Sequence, residues 1–423
     1  MSFPRYPKYK ASGVEWLGDV PEGWEVKPLR SVFKFSKGLT ITKEDLRDEG
    51  VCCVNYGEIH SKYGFRLNPE IHPLRCVEPA YLSSNPEALI RDGDFVFADT
   101  SEDLEGSGNF THLRSENPIF AGYHTIIGRP RKDISSLLLA YQIHSSAFRS
   151  QIQRQVKGVK VFSISQGILK AAKCLLPPLP EQTAIAEFLD RETGKIDGLV
   201  AEQRRLMELL KEKIASLVLS SVDLPSTKRL RFRDAASIIS RPVLQQQEES
   251  YTRIGLFNRG RGLFHKDASE MDDMGESDFF WIEEGDLIIS GQFAWEGAVA
   301  MAGKDDTGCV VSHRYPVIHG VPGIAMTEYL FGLLCTNHGD FLLNEHSRGA
   351  AGRNRPLNIR SLMKELIPVP TMEIQKAVAS AIHSRTALFK EISKAIDHLQ
   401  ERRSALISSA VTGQIDVRQH PKN

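Results

Sequence analysis

The sequence predicts an α+β chain in which two mixed α/β modules are joined by two long antiparallel coiled-coil helices, pseudo-two-fold and circular in layout. Three observations lead there. A proline-rich hinge leads into a long run of apolar residues at helical spacing, and the pair occurs twice: Pro177-Pro178-Leu179-Pro180-Glu181-Gln182 returns as Pro368-Val369-Pro370, with Glu373 and Gln375 behind it. Each hinge closes a segment of about 150 residues, the size of one domain. Such repetition marks a duplicated layout.

The first helix reads from Ile185, with Leu189, Glu192, Ile196, Leu199, Gln203, Leu206, Leu210, Lys213 and Leu217 following at alternating steps of four and three, the a/d seam of a coiled coil. The second reads through Val378, Ile382, Arg385, Phe389, Ile392, Ile396, Leu399, Arg403, Leu406 and Ala410. Gly194 and Gly198 each cost about 1 kcal/mol of helix propensity relative to Ala, so the first helix calls for a partner. The other helix is the obvious one. The first helix ends where the second module begins, and the second helix starts where that module ends, so helices that pair along their length run antiparallel. The second helix then returns the C-terminus to the first module.

Within the modules the signals are strand and turn. Asp92-Gly93-Asp94 leads into Phe95-Val96-Phe97-Ala98, and Glu284-Gly285-Asp286 leads into Leu287-Ile288-Ile289, matching turn-then-strand units in the two halves. Polar and aromatic residues follow each strand: Thr100 and Ser101 in one half, Gln292 and Trp295 in the other. A second echo pairs Gly122-Tyr123-His124-Thr125 with Ser312-His313-Arg314-Tyr315. Side chains of these types at strand ends have the donors and acceptors to read base edges, and they equally serve as caps.

The chain of 423 residues is 41% hydrophobic and 25% charged, an ordinary globular composition with room for two or three domains. No apolar run of membrane-spanning length and no signal-peptide core occurs, so a cytoplasmic protein with no membrane partner is expected. The six cysteines form no C-x-x-C pair, which argues against a zinc site and a disulfide framework alike. With 53 basic and 53 acidic residues the net charge is zero. This counts against a generic, salt-driven nucleic-acid binder but leaves local patches open. One such patch carries Lys157 and Lys160. Another is Ser347-Arg348-Gly349-Ala350-Ala351-Gly352-Arg353-Asn354-Arg355, where guanidinium groups alternate with small residues that let a polyanion approach. A solvated surface loop has the same composition.

Catalytic signatures are missing from the sequence. No segment has the Asn/Asp-Pro-Pro-aromatic pattern of amino-methyltransferases, the P-loop spacing or H-E-x-x-H. The reading is of a chain that makes no bond itself and carries no catalytic or metal-binding residues. Two alternatives stay open: a two-headed scaffold holding protein or glycan partners at a fixed separation, and an enzyme with a cryptic site in one head.

The opening Tyr9-Lys10-Ala11-Ser12-Gly13-Val14-Glu15-Trp16-Leu17-Gly18 and Val20-Pro21-Glu22-Gly23-Trp24, the first hinge, and Ala410-Val411-Thr412-Gly413-Gln414-Ile415-Asp416 together resemble the arm, central spacer and distal spacer end of Type I restriction-modification specificity subunits (the HsdS family). The second hinge departs from that pattern, with Thr371-Met372-Glu373-Ile374-Gln375 in place of Pro-Glu-Gln. The resemblance implies an N-terminal arm (1–25), target recognition domain 1 (26–177), central spacer helix (178–223), target recognition domain 2 (224–368), distal spacer helix (369–413) and tail (414–423). It also implies a non-catalytic subunit that binds double-stranded DNA, each recognition domain reading one half of a bipartite, asymmetric site. The helices would set the gap and dock two methylation subunits, with restriction subunits joining through that assembly. S-adenosylmethionine, ATP and Mg would belong to the partner subunits. On this reading the DNA-binding candidates are Thr100, Ser101, His124, Lys157, Lys160, Gln292, Trp295, His313, Arg314, Arg348, Arg353, Asn354 and Arg355.

Overall fold

The computed structural model describes residues 3–14, 17–158, 160–244, 250–270, 277–349 and 355–418. The chain forms two compact units, Met1–Val200 with Ile396–Asn423 and Ala201–Ala395, so each long helix is shared between them.

In the first unit the strands Glu25–Pro28 and Lys173–Leu176 pair antiparallel, Lys173 opposite Pro28 and Leu176 opposite Glu25, closing the module at its base. Within it lies a five-stranded sheet in the order Phe33–Lys37, Thr125–Pro130, Phe95–Ala98, Phe110–Leu113, Phe65–Leu67. The central strand Phe95–Ala98 is buried throughout, as a continuous apolar run requires when both faces are covered. The second unit is closed the same way, by Lys228–Arg231 against Leu366–Val369. Its main sheet runs Ala236–Ile239, Val317–Gly320, Leu287–Ile289, Val299–Met301. Both turn-then-strand units form as predicted. Gly93 and Gly285 take φ of 85° and 89°, which a side chain would resist, and the Asp that follows each stays buried. Asp94 accepts from Arg91 N and Arg129 Nε at 3.0 and 3.2 Å. Asp286 accepts from Glu283 N and, at 2.9 and 3.1 Å, from both Nη atoms of Arg241.

The long helices span Leu179–Val222 and Met372–Val411, 44 and 40 residues. Pro180 sits in the first turn, where its missing N–H costs nothing. In the first unit Ile185 and Leu189 share a core with Ile407, Ala410 and Val411, and Asp197 pairs with Arg403 at 2.8 Å. In the second, Val218 packs with Val378 and Ile382 in one core, and Lys211 lies over the Phe389 ring at 6.0 Å. Rising numbers on one helix meet falling numbers on the other in both units, so the helices pair antiparallel. The second helix keeps its predicted stripe, Val378, Ile382, Ile392 and Ala410 all being buried. The first does not. Leu199, Leu206 and Leu217 are 52%, 39% and 36% exposed, while Val200, Ile214 and Val218 are buried instead. A helix of about 3.6 residues per turn drifts about 20° per heptad against a strict seven-residue repeat, and past Ile196 the buried stripe moves with the turn.

Each hinge is locked by one buried glutamine. Gln182 donates from Nε2 to Pro177 O at 2.8 Å and accepts at Oε1 from Ser135 N at 2.9 Å, at the N-terminus of the helix Ser136–His144. Gln375 donates to Pro370 O at 2.8 Å and Ile324 O at 3.0 Å, and accepts from Met326 N at 2.7 Å, at the N-terminus of Thr327–Leu334. The second hinge, whose sequence departs from the first, thus repeats its hydrogen bonds. In the first unit the chain ends are also tied together: Asp416 N donates to Pro4 O at 2.8 Å and Tyr9 Oη to Gly413 O at 3.0 Å.

His112 is fully buried beside Phe95, their rings 4.7 Å apart, and neither ring nitrogen has a partner among the described residues. Burial pushes its pKa down to about 3.

Two predictions follow from these buried groups. Gln375→Leu leaves Met326 N, Pro370 O and Ile324 O without this partner, each orphaned group costing about 1–3 kcal/mol; the urea midpoint falls, and an unchanged midpoint would refute the lock. For His112 the unfolded ring takes a proton near pH 6.5 and the folded one only near 3. Stability is therefore intact above pH 6.5 and drains as pH falls through that window, by about 2 kcal/mol at pH 5. Urea titrations at pH 8 and pH 5 will show this loss in the wild type and its absence in His112→Leu.

Candidate functional site

In both units the segment after the central strand is held against the loop that precedes the neighbouring strand. Asp99 N donates to His124 O at 3.1 Å in the first unit, and Gly291 N donates to Arg314 O at 2.7 Å in the second. A Cβ on Gly291 would stand 2.3 Å from that carbonyl, so the close approach needs glycine. The two echoes legible in the sequence are therefore two sides of one site, built twice.

The first site is aromatic, imidazole and acidic. Asp99 accepts from Thr100 Oγ1 at 2.7 Å and from His124 Nδ1 at 3.2 Å. His124 takes a left-handed φ of 55°, and its ring meets Tyr56, which also contacts Tyr123. His60 donates from Nε2 to Thr100 O at 2.8 Å and accepts at Nδ1 from the Asn109 amide, also at 2.8 Å, so a carbonyl on one side and an N–H on the other set its tautomer. Arg149 in turn donates to Asn109 Oδ1 at 2.7 Å. Tyr56, His60, Ser101, Glu102, Asp103 and Asn109 line an open cleft here. Ser101 is buried and its hydroxyl accepts from Asp103 N at 3.4 Å, which makes it part of the turn. Thr100–Ser101 pairs with Phe162–Ser163, at the end of the loop that bears Lys157 and Lys160. Both lysines are exposed.

The second site is arginine and aromatic. Gln292 and Phe293 are exposed, their backbone N–H groups donating to Ser290 Oγ, and the following single turn carries Trp295. Arg355 lies over the Trp295 ring at 5.1 Å, with Nε donating to Ser347 O at 3.0 Å and Nη2 to Asn344 Oδ1 at 2.7 Å. Leu357 N donates to Gly291 O at 2.8 Å. One cluster thus brings together Gln292, Trp295, Arg314 and Arg355. Arg348 pairs with Glu345, and both line a cleft with Asp340, Phe341, Asn344 and Arg355. Burial raises the Asp340 carboxyl, with the Arg259 charge opposing it. His313 and Arg314 are exposed. Arg353 and Asn354 lie outside the described residues.

Residues 21–202 match the family model of the Type I restriction modification DNA specificity domain. The specificity subunit of the Type I restriction enzyme StySPI from Salmonella potsdam is 21% identical over 441 residues, covering 96% of this chain and 92% of that protein. The chain is similar to Type I restriction-modification specificity subunits. The EcoKI specificity subunit of Escherichia coli strain K12 is 26% identical over 198 residues, 46% of this chain and 41% of that one. A solved chain described for the complex assembly and conformational transition of the type I R-M system shares the fold, with a TM-score of 0.52 at 16% identity over 93% of this chain and 98% of that chain.

Sequence reasoning missed Tyr56 and His60, both on the helix Tyr56–Ser61, and Asn109, which reach the first site from two separate segments. It also passed over Gly260-Arg261-Gly262. Arg259 N donates to Glu296 O at 3.0 Å and Gly260 N to Gly297 O at 2.9 Å, which ties that loop to the Trp295 turn. A signal was present: glycines flanking an arginine mark a turn with positive φ, as Gly260 at 60° and Gly262 at 102° adopt. Among the described residues no three His, Cys, Asp or Glu side chains gather as a metal site requires.

In the second site, Arg355→Ala removes a cation–π contact worth about 1 kcal/mol and two hydrogen bonds. Amide exchange at Leu357 rises several-fold, and exchange at the wild-type rate would mean that the stack does not hold the loop.

Proposed function

We propose that this chain is the DNA sequence-specificity subunit of a Type I restriction-modification complex, non-catalytic in itself, with recognition domains 26–177 and 224–368 each reading one half of a bipartite, asymmetric site. The observation that carries the reading is that one backbone device is built twice and dressed with different chemistry. The first copy presents Tyr56, Thr100 and His124. The second presents Gln292, His313 and Arg314. Equal scaffolds with unequal side chains suit two half-sites of unequal sequence, because phosphate contacts position a protein while base-edge contacts specify the target.

Lys157, Lys160 and Arg348 are the phosphate-gripping candidates, with Arg353 and Asn354 close behind Arg348 in the sequence. Thr100, His124, Gln292, His313 and Arg314 are the base-edge candidates. Ser101, Trp295 and Arg355 act behind them, holding the backbone that presents the readers. The antiparallel helices set the gap between half-sites and dock two methylation subunits, and restriction subunits join through that assembly. S-adenosylmethionine, ATP and Mg work in those partners.

Mapping methylated adenines in cells that express the chain with its methylation partners tests this. The expected result is one bipartite motif with two unlike halves at a constant gap; methylation without a motif, or none above background, refutes it.

A further inference from the structure

The arginines of the second unit differ in what their guanidinium groups are doing. Arg241 is engaged by Glu283 and Asp286, and Arg348 by Glu345. Arg355 has Nε and Nη2 committed to its own loop, and Arg385 lies half-buried over Phe331 and Phe389. Arg261 is oriented but unspent. It sits exposed in the turn of a hairpin whose strands are Ile254–Leu256 and Leu263–His265. Its Nε donates to Asn258 O at 3.0 Å, and its guanidinium lies over the Phe257 ring at 5.4 Å. Phe257 is itself steadied by Phe264, with ring centroids 4.8 Å apart. These contacts fix the plane of the group and leave Nη1 and Nη2 without a partner among the described residues.

The turn beneath it is held firmly. Arg259 takes a left-handed φ of 60°, a conformation that is strained for a non-glycine residue. Two backbone hydrogen bonds from Arg259 and Gly260 reach the segment that carries Trp295, and the Asn258 amide donates to the Glu296 carboxylate. Phe257 and Phe264 stay 41% and 36% exposed, so the ribbon presents an apolar flank beside its cation.

We propose that Arg261 is a specificity-determining residue, presenting its two terminal nitrogens to O6 and N7 of a guanine in the half-site read by the second unit. The proposal rests on the reading of the chain as a DNA specificity subunit. Among the four bases only guanine offers two adjacent acceptors in the major groove, a groove that admits a two-stranded ribbon. A planar fork already fixed by a ring and an Nε hydrogen bond gives up little freedom on making that pair. The exposed Phe257 and Phe264 give the same hairpin an apolar surface of the kind that covers a thymine methyl.

The test uses the subunit assembled with its methylation partners and duplexes carrying its mapped site, each position of both half-sites changed in turn. Wild type is expected to disfavour replacement of one guanine by a factor on the order of 10 to 100. Arg261→Ala loses that discrimination and Arg261→Lys loses most of it, while both keep it at positions in the other half-site, which also shows that they are folded. Substituting 7-deazaguanine at the same position weakens wild type and leaves both variants indifferent. Arg261→Lys retains the charge, so a grip on phosphate survives in it, while the planar fork held by Phe257 and Asn258 O does not. Discrimination at every guanine surviving in both variants overturns the proposal, as does an equal loss of affinity for all duplexes. A wild-type complex with no sequence preference would instead overturn the DNA reading on which it rests.

Discussion

A buried side-chain amide at the first turn of each long helix is the constraint on which the architecture depends. Gln182 and Gln375 are 4% and 0% exposed, and each spans three pieces of chain: the hinge carbonyl behind it, the helix that carries it, and the N-terminus of a helix inside the module. A buried N–H or carbonyl without a partner costs about 1–3 kcal/mol, so the module helix cannot turn away from the long helix without exposing or orphaning several such groups. The angle at which each module leaves its helix is therefore set by hydrogen bonds of fixed length. An apolar contact alone would let it slide.

On that rigid base the two modules are free to differ where they face solvent. The shared framework consists of the closing strand pair, the buried Asp after each positive-φ glycine, and the carbonyl that ties the segment after the central strand to the loop before its neighbour. All of it is backbone, or side chain engaged with backbone, and it recurs with little change. The surfaces it presents differ in emphasis: tyrosine, imidazole and carboxylate dominate one, guanidinium, indole and phenyl the other. This division fits a protein whose two halves need the same geometry and different partners.

Several candidate side chains take on another role once their neighbours are known. Trp295 and Arg355 are far apart in sequence, and each by itself looks like a contact residue. Stacked at 5.1 Å, with Arg355 already bonded to Ser347 and Asn344, they form a brace for the surface loop. Ser101 likewise turns inward, bonding Asp103 N. Arg261 moves the other way, from a residue in an unremarked glycine pair to an oriented donor fork at a hairpin tip.

The duplication, the strand-and-turn echoes and the second helix's buried stripe were all legible in the sequence, because each rests on local regularity: proline at a helix start, glycine where φ is positive, apolar residues at a helical period. The first helix's stripe was legible only to Ile196, since seven residues and two turns are not commensurate and nothing local says which way the mismatch resolves. The sites lay further out of reach. Their members come from three or more segments, and whether an arginine reads, braces or pairs depends on the atoms opposite its guanidinium. Only the tertiary structure places those atoms, because long-range packing brings Tyr56 to His124, Trp295 to Arg355 and the Arg259 loop to Glu296.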